Sequence, residues 1–216
     1  MKARPLATYN DYVNFWHSLV NRVWSAAGKP GVLPGLSAYP KFRFIDAAQL
    51  GIANHLGDAW IAGAKECGFD LQQYPDEATG EQQIQLQSIL DTQTQYDWLS
   101  RFHADIEQAA LDGKDRDSID YRINMWANRY NEVKTRARAT FCADRKMKWI
   151  LGETHEHCRT CFGFNGRVYR MSTWAENDAL PQTHALECEG YNCLCRLEET
   201  DERITPGRFP RSLLKR

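Results

Sequence analysis

The chain has 216 residues, of which 43% are apolar and 25% are charged, and this composition is typical of a globular protein rather than a disordered or fibrous one. Its 27 basic and 28 acidic side chains nearly cancel, so the chain as a whole lacks the excess positive charge that nucleic-acid binding requires. The N-terminal segment lacks the apolar core and cleavage site of a signal peptide, and no window reaches the roughly 18 apolar residues of a membrane span. We therefore expect a protein of the reducing cytosol that does not enter a membrane.

Four segments carry apolar residues at the three-and-four spacing of an amphipathic helix. The expected helices run over about Tyr9–Ala27, Arg43–Cys67, Gly80–Leu111 and Ser118–Arg145. The second contains Gly51, Gly57 and Gly63, which indicate either close approach of another helix or a weakly stable helix. Between the first two helices, residues 28–42 are rich in Gly and Pro and predict a long loop.

The character of the sequence changes after Arg145. Short segments rich in β-branched and aromatic residues, MKWILGE, GRVYRM and CLCRLEE, are separated by turn residues and predict two or three short strands. The predicted fold class is mainly α: a helical body over residues 1–145, followed by a small β-containing, zinc-knuckle-like module over residues 146–200 (α+β overall). Residues 201–216 contain basic residues, prolines and a glycine near the end, and predict a flexible basic tail that docks on DNA or an acidic neighbour.

Five of the seven cysteines cluster in this module. The candidate metal ligands are Cys158, Cys161, Cys188, Cys193, Cys195 and His184. The C-x2-C spacing of the first pair presents two thiolates to one tetrahedral Zn²⁺, whereas the 26 residues between Cys161 and Cys188 exceed the roughly 15–20 of a common two-knuckle pattern. The predicted cofactor is a structural Zn²⁺, and the predicted ligands are Cys158, Cys161, Cys188 and Cys195, with Cys193 and His184 as alternates.

Three other states of these cysteines remain open. They could form a thioredoxin-like redox pair, although no βαβ unit surrounds the C-x2-C motif. They could form disulfides in an oxidising environment, or stay uncoordinated. The remaining two cysteines, Cys67 and Cys142, lie in helical patterns and are interpreted as small buried hydrophobic residues.

No catalytic motif accompanies the cysteines. Glu153, Glu156, Glu187 and Glu189 lie close by in sequence but fit neither HExxH nor the zinc-deaminase pattern, and are interpreted as surface residues. We therefore expect a protein without enzymatic activity. The alternatives are a zinc-dependent DNA-binding or nuclease-like module, which the acidic segments HALECEGYN and RLEETDE disfavour, and a small zinc enzyme.

The segment from Trp126 to Glu202 resembles the C-terminal region of tailed-phage head morphogenesis, or minor head, proteins, a group that includes the F-like protein of phage Mu. The resemblance lies in the Trp149 segment, HCRTC, NGRVY, Trp174, LPQTH and CEGYNCLCRL. In many relatives a Pro followed by His or Ser leads into Cys-x-Cys, as Pro181, His184, Cys193 and Cys195 do here.

This resemblance implies a minor virion component that acts in capsid assembly in the host cytoplasm and becomes part of the virion. The implied partners are other head proteins, such as portal, major capsid or neck subunits, within a homo- or hetero-oligomeric assembly. Packaged DNA, contacted by the basic tail, is a further expected partner.

Overall fold

The protein, analysed as a computed structural model, is described over residues 4–27, 39–153, 156–183, 185–190 and 193–215. Within these ranges the elements are α1 (Tyr9–Ala27), α2 (Lys41–Glu66), α3 (Gly80–Gln93), α4 (Tyr96–Leu111), α5 (Asp117–Phe141), β1 (Lys146–Ile150), α6 (Arg159–Phe164), β2 (Val168–Arg170), α7 (Met171–Glu176) and β3 (Arg196–Glu199), with short 3-10 helices at Pro75–Glu77 and Arg211–Leu213. The predicted fold class, mainly α with a small β part near the C-terminus, is confirmed. Most of the predicted loop, residues 28–38, lies outside the described residues.

The helix predicted over Gly80–Leu111 is wrong in one respect, because the structure contains two helices there. Helix α3 begins with a capping box in which Thr79 and Gln82 satisfy each other's backbone N–H groups. It ends at Gln93, the hydroxyl of the C-cap Thr94 donates back to the Leu90 carbonyl, and Gln95 is the N-cap of α4. Because apolar residues continue at helical spacing across this break, periodicity alone did not show it.

The described residues divide into two compact units. Unit 1 consists of residues 59–78 and 131–215, and unit 2 consists of residues 4–58 and 79–130. Helices α2 and α5 contribute residues to both units. All five clustered cysteines belong to unit 1.

Unit 2 is a helical bundle with an aromatic core. Helix α1 buries Trp16 completely, and the Trp16 ring centroid lies 5.9 Å from Phe102 on α4 and 5.0 Å from Trp126 on α5. Phe44 on α2 meets the Phe102 ring edge-on at 6.1 Å. The large apolar residues at helical spacing therefore form the core, as the periodicity indicated.

Unit 1 contains a three-stranded antiparallel sheet in the order β2-β1-β3. The central strand β1 pairs Lys148 with Val168 on one side and Trp149 with Leu197 on the other. Trp149 is fully buried and packs against Trp174 of α7, with the two ring centroids 5.5 Å apart. This aromatic core underlies the cysteine cluster, because Cys161, Cys193 and Cys195 belong to the same group of packed buried residues.

The expectation of a flexible basic tail is wrong, because particular residues within 201–215 anchor this segment to the rest of unit 1. The Thr205 N–H donates to the Val168 carbonyl at 2.9 Å, and the Lys215 N–H donates to the Ala185 carbonyl at 2.9 Å. The ring of Phe209 lies 5.0 Å from Tyr169 and 5.4 Å from Trp174. Phe209 therefore anchors the segment. The sequence prediction missed this role because it considered only the basic residues of the segment.

Candidate metal centre

The cysteines of the candidate site come from three short stretches of chain. Cys158 is the N-cap of α6, and Cys161 lies in the first turn of that helix. Cys188 lies in the loop between α7 and β3, and Cys193 and Cys195 lie directly before β3. The sheet fixes the third stretch, because Leu197 pairs with Trp149 at the centre of the unit.

Side-chain capping holds the Cys188 loop against α6. The Glu187 carboxylate accepts the Arg159 N–H at 2.7 Å, and the Glu187 N–H donates to the Thr160 hydroxyl at 3.2 Å. A carboxylate at the start of a helix satisfies an N–H group that lacks an intrahelical partner. Glu187, interpreted from the sequence as a surface residue, therefore positions Cys188 beside the C-x2-C pair.

The sulfur atoms fall into two overlapping sets. Those of Cys158, Cys161 and Cys188 lie within 4.8 Å of one another, as do those of Cys161, Cys193 and Cys195. The Cys161 and Cys193 sulfurs are 3.8 Å apart. Two thiolates on one tetrahedral ion lie about 3.8 Å apart, because metal–sulfur bonds are about 2.3 Å long. The cluster can therefore hold a metal ion.

Backbone N–H groups point at three of the sulfurs. The Cys161 N–H donates to the Cys158 sulfur at 3.4 Å. The backbone N–H groups of Gly190 and Gly152 act in the same way on Cys188 and Cys195. Hydrogen bonds of this kind stabilise a thiolate over a thiol and are not visible in the cysteine spacing.

The close contacts between the thiols shift their pKa values in opposite directions. Contacts with Cys161, then with Cys193, lower the pKa of Cys188, and the Gly190 N–H lowers it further. The same two contacts lower the pKa of Cys195. The pKa of Cys161 is raised, first by its hydrogen bond with Cys188 and then by that with Cys193, because these contacts stabilise the protonated thiol. A bound cation reverses this preference and lets the liganding sulfurs ionise.

Burial distinguishes the two sets of sulfurs. Cys161, Cys193 and Cys195 are 1%, 5% and 2% exposed. Cys158 and Cys188 are partly exposed. The second set therefore lies inside the aromatic core, whereas the first reaches the surface.

The Cys188 loop has an unusual backbone. Asp178, Gln182 and Glu189 adopt positive φ values of 52°, 67° and 51°. Gly190 has φ +83°, and a Cβ there would collide with the Gln182 carbonyl. Positive φ in residues other than glycine costs roughly 1 kcal/mol or more each, so contacts such as those of Glu187 must hold this loop in place.

The structure brings all five predicted cysteines together, and His184, the sixth predicted ligand, lies outside the described residues. Cys193, predicted as an alternate ligand, is buried and belongs to one of the two sets. Four residues that support the cluster were not predicted, because no sequence motif marks them: Gly152, Thr160, Glu187 and Gly190.

The interpretation of Cys67 and Cys142 as small buried hydrophobic residues is correct in their burial but missed their pairing. Both are buried, at 8% and 6% exposure, but their sulfurs form a disulfide. Each cysteine directly follows the end of a long helix, α2 or α5. The disulfide was not predicted because the fourth helix was expected to continue to Arg145. In the structure α5 ends at Phe141, and Cys142 lies in the turn that follows.

A cleft of about 510 Å³ opens beside Cys195 in unit 1. Its charged residues pair with neighbours: Glu66 accepts from Lys134 at 2.6 Å, and Arg196 pairs with Glu198 at 2.6 Å. The acidic and basic side chains that line the cleft balance, so its net charge favours a ligand of neither sign.

Comparison of the chain with protein-family models, with curated proteins and with solved structures finds no match. Across the described ranges, no helix has the length and apolar character needed to cross a bilayer. The five-cysteine cluster is therefore the feature from which a function can be inferred.

Proposed function

We propose that this chain is a non-enzymatic structural protein of a tailed-phage head, a minor head or connector-associated component, and that its cysteine cluster holds a structural Zn²⁺. The observation that carries the proposal is the convergence of five cysteines, three of them buried, on one cluster within the segment that resembles head morphogenesis proteins. The proposed role is capsid assembly through protein–protein contacts.

Ligand chemistry supports zinc. Thiolates are soft ligands, and an all-sulfur tetrahedral site is typical of structural Zn²⁺. Catalytic zinc keeps a coordination position for water and has fewer thiolates, whereas Cys161, Cys193 and Cys195 lie in the aromatic core. Zinc would hold together α6, the Cys188 loop and the start of β3, which the sequence separates.

Exposed apolar residues support a role in protein–protein contacts. In unit 2, Ile84 is 70% exposed, Leu50 66% and Trp98 45%. Helix α3, which carries Ile84, has no buried residue. Exposed apolar and aromatic side chains are typical of surfaces that bind another subunit, which in this proposal is a portal, major capsid or neck protein.

Charge pairing disfavours a DNA-binding or nuclease-like zinc module. Near the cluster, Lys148 pairs with Glu202 at 2.6 Å, Arg145 pairs with Glu199 at 2.7 Å, and Lys215 pairs with Glu189. Phosphate binding depends on basic side chains that are free to replace counterions. Contact with packaged DNA would then fall to exposed tail arginines such as Arg203 and Arg208.

The test of the virion assignment is quantitative mass spectrometry of purified heads and of the cleared lysate from the same infected culture. We expect a fixed copy number per head that survives washing in high salt. Recovery of the chain only in the lysate would contradict the assignment. A mobility-shift titration with duplex DNA is the companion measurement, and tight binding at physiological salt would favour the DNA-binding alternative.

A further inference from the structure

The five thiols of the cluster are more than one tetrahedral ion takes, and they are arranged around Cys161. Cys161 belongs to both sets of sulfurs, whereas each of the other four belongs to one. We propose that the cluster binds two Zn²⁺ ions, one on each set, bridged by the Cys161 thiolate. This proposal rests on the zinc site of the proposed function and changes its stoichiometry.

Distances support two ions. A single tetrahedral ion brings four sulfurs to within about 3.8 Å of one another. Here the five sulfurs form two sets of three that share Cys161, each set within 4.8 Å, and Cys188 of the first set also contacts Cys193 of the second. A thiolate has lone pairs for two metal ions, and Cys161 lies 3.8 Å from Cys193 while it also contacts Cys188 and Cys195.

Each ion then has three thiolates and one further position. The fourth ligand of each ion is then water or a side chain from outside the two sets. The two ions also differ in access, because Cys158 and Cys188 are partly exposed and the second set is buried. A chelator should remove them in two phases, first the ion on the exposed set.

The experiment is native mass spectrometry and zinc analysis of the full chain, purified anaerobically with a reductant. We expect two Zn²⁺ per chain, and a Co²⁺ titration of the metal-free chain should reach its charge-transfer plateau at two equivalents. Cys158→Ser and Cys195→Ser should each lose one ion, and Cys161→Ser should lose both. The matched control, Cys67→Ser with Cys142→Ser, removes the two cysteines outside the cluster and should keep two ions.

One ion per chain in the native protein would overturn the bridged pair and leave the zinc site of the proposed function intact. Absence of zinc would contradict both, and association with heads is measured separately. Where a serine variant does not fold, ¹¹³Cd NMR of the native sequence decides the matter. Two cadmium resonances support the bridged pair, and a single resonance at saturation overturns it.

Discussion

The sulfur atoms of Cys161 and Cys193 lie 3.8 Å apart although the two residues are 32 positions apart in the chain. Helix α6 supplies the first and the segment before β3 supplies the second. Both cysteines are buried in the same hydrophobic cluster as Trp149 and Trp174. Folding of unit 1 therefore places the thiols at the spacing of metal ligands.

Metal removal should destabilise unit 1. A zinc chelator should lower the stability of the reduced protein by at least about 3 kcal/mol, because the ion binds only the folded arrangement of cysteines. This corresponds to a fall in Tm of roughly 6–12 °C at 2–4 °C per kcal/mol. Calorimetry with and without chelator measures it, with near-ultraviolet circular dichroism reporting on the buried tryptophans. Cys161→Ser should show no chelator effect, and an equal loss in that variant would contradict the explanation.

The C-terminal segment should contribute to stability through Phe209. Phe209→Ala removes a ring that packs against Phe164, Tyr169 and Trp174, and should cost about 2–3 kcal/mol. The matched control is Phe162→Ala, because Phe162 is 71% exposed. Urea unfolding measures both, and the control should change stability by less than about 0.5 kcal/mol. Equal effects would show that the segment is not anchored by its aromatic ring.

Two glycines of helix α2 should respond to alanine in opposite directions. Gly57 has open space around its Cα, so Gly57→Ala should stabilise the helix by about 0.5–1 kcal/mol. At Gly63 an added Cβ would collide with the Lys134 carbonyl and lie 2.7 Å from the Ala137 Cβ. Gly63→Ala should therefore destabilise by about 1–3 kcal/mol, as measured by chemical denaturation. A stabilising effect at both positions would contradict the close approach of α5.

The disulfide between Cys67 and Cys142 should stabilise the oxidised protein. It joins residues 75 positions apart, and a crosslink of this kind contributes about 2–4 kcal/mol, in one model by restricting the unfolded chain. Urea unfolding of the Cys67→Ser, Cys142→Ser double variant should show that loss without reductant. With reductant the variant and the native protein should agree closely. A similar gap under both conditions would assign the loss to packing instead.

His103 should make stability depend on pH. It is 2% exposed, and burial lowers its pKa, while Glu107 and the Tyr39 carbonyl raise it and Lys41 lowers it. The unfolded chain takes up a proton near pH 6.5, where the folded state does not, so stability should fall as pH drops below that value. Urea unfolding between pH 7.5 and pH 5 measures the slope. His103→Gln should reduce this slope. Loss of metal in acid would affect both proteins equally, so the difference between their slopes measures the contribution of His103.

Local pattern was sufficient for much of the fold. The bounds of α1 coincide with the predicted Tyr9–Ala27, because its apolar stripe is uninterrupted and Gly28 and Pro30 follow it in the sequence. The break between α3 and α4 was missed because apolar residues continue at helical spacing across it. Helices α6 and α7 were missed because each has six residues, too short for a periodic signal.

The candidate site was predictable only in its cysteines. Spacing identified Cys158 and Cys161 as a pair, but the contact of Cys161 with Cys193 depends on how the sheet folds back. The pairing of Cys67 with Cys142 likewise depends on which helix ends meet. The role of Glu187 depends on a helix too short to predict. Long-range packing, which carries no local sequence pattern, determines all three.

The central claim is that zinc is bound by the clustered thiols, and X-ray absorption at the zinc edge of the anaerobically purified full chain tests it most directly. We expect bound zinc whose first shell is dominated by sulfur at about 2.3 Å. Absence of zinc together with oxidised cysteines, or zinc surrounded only by nitrogen and oxygen at about 2.0–2.2 Å, would contradict it.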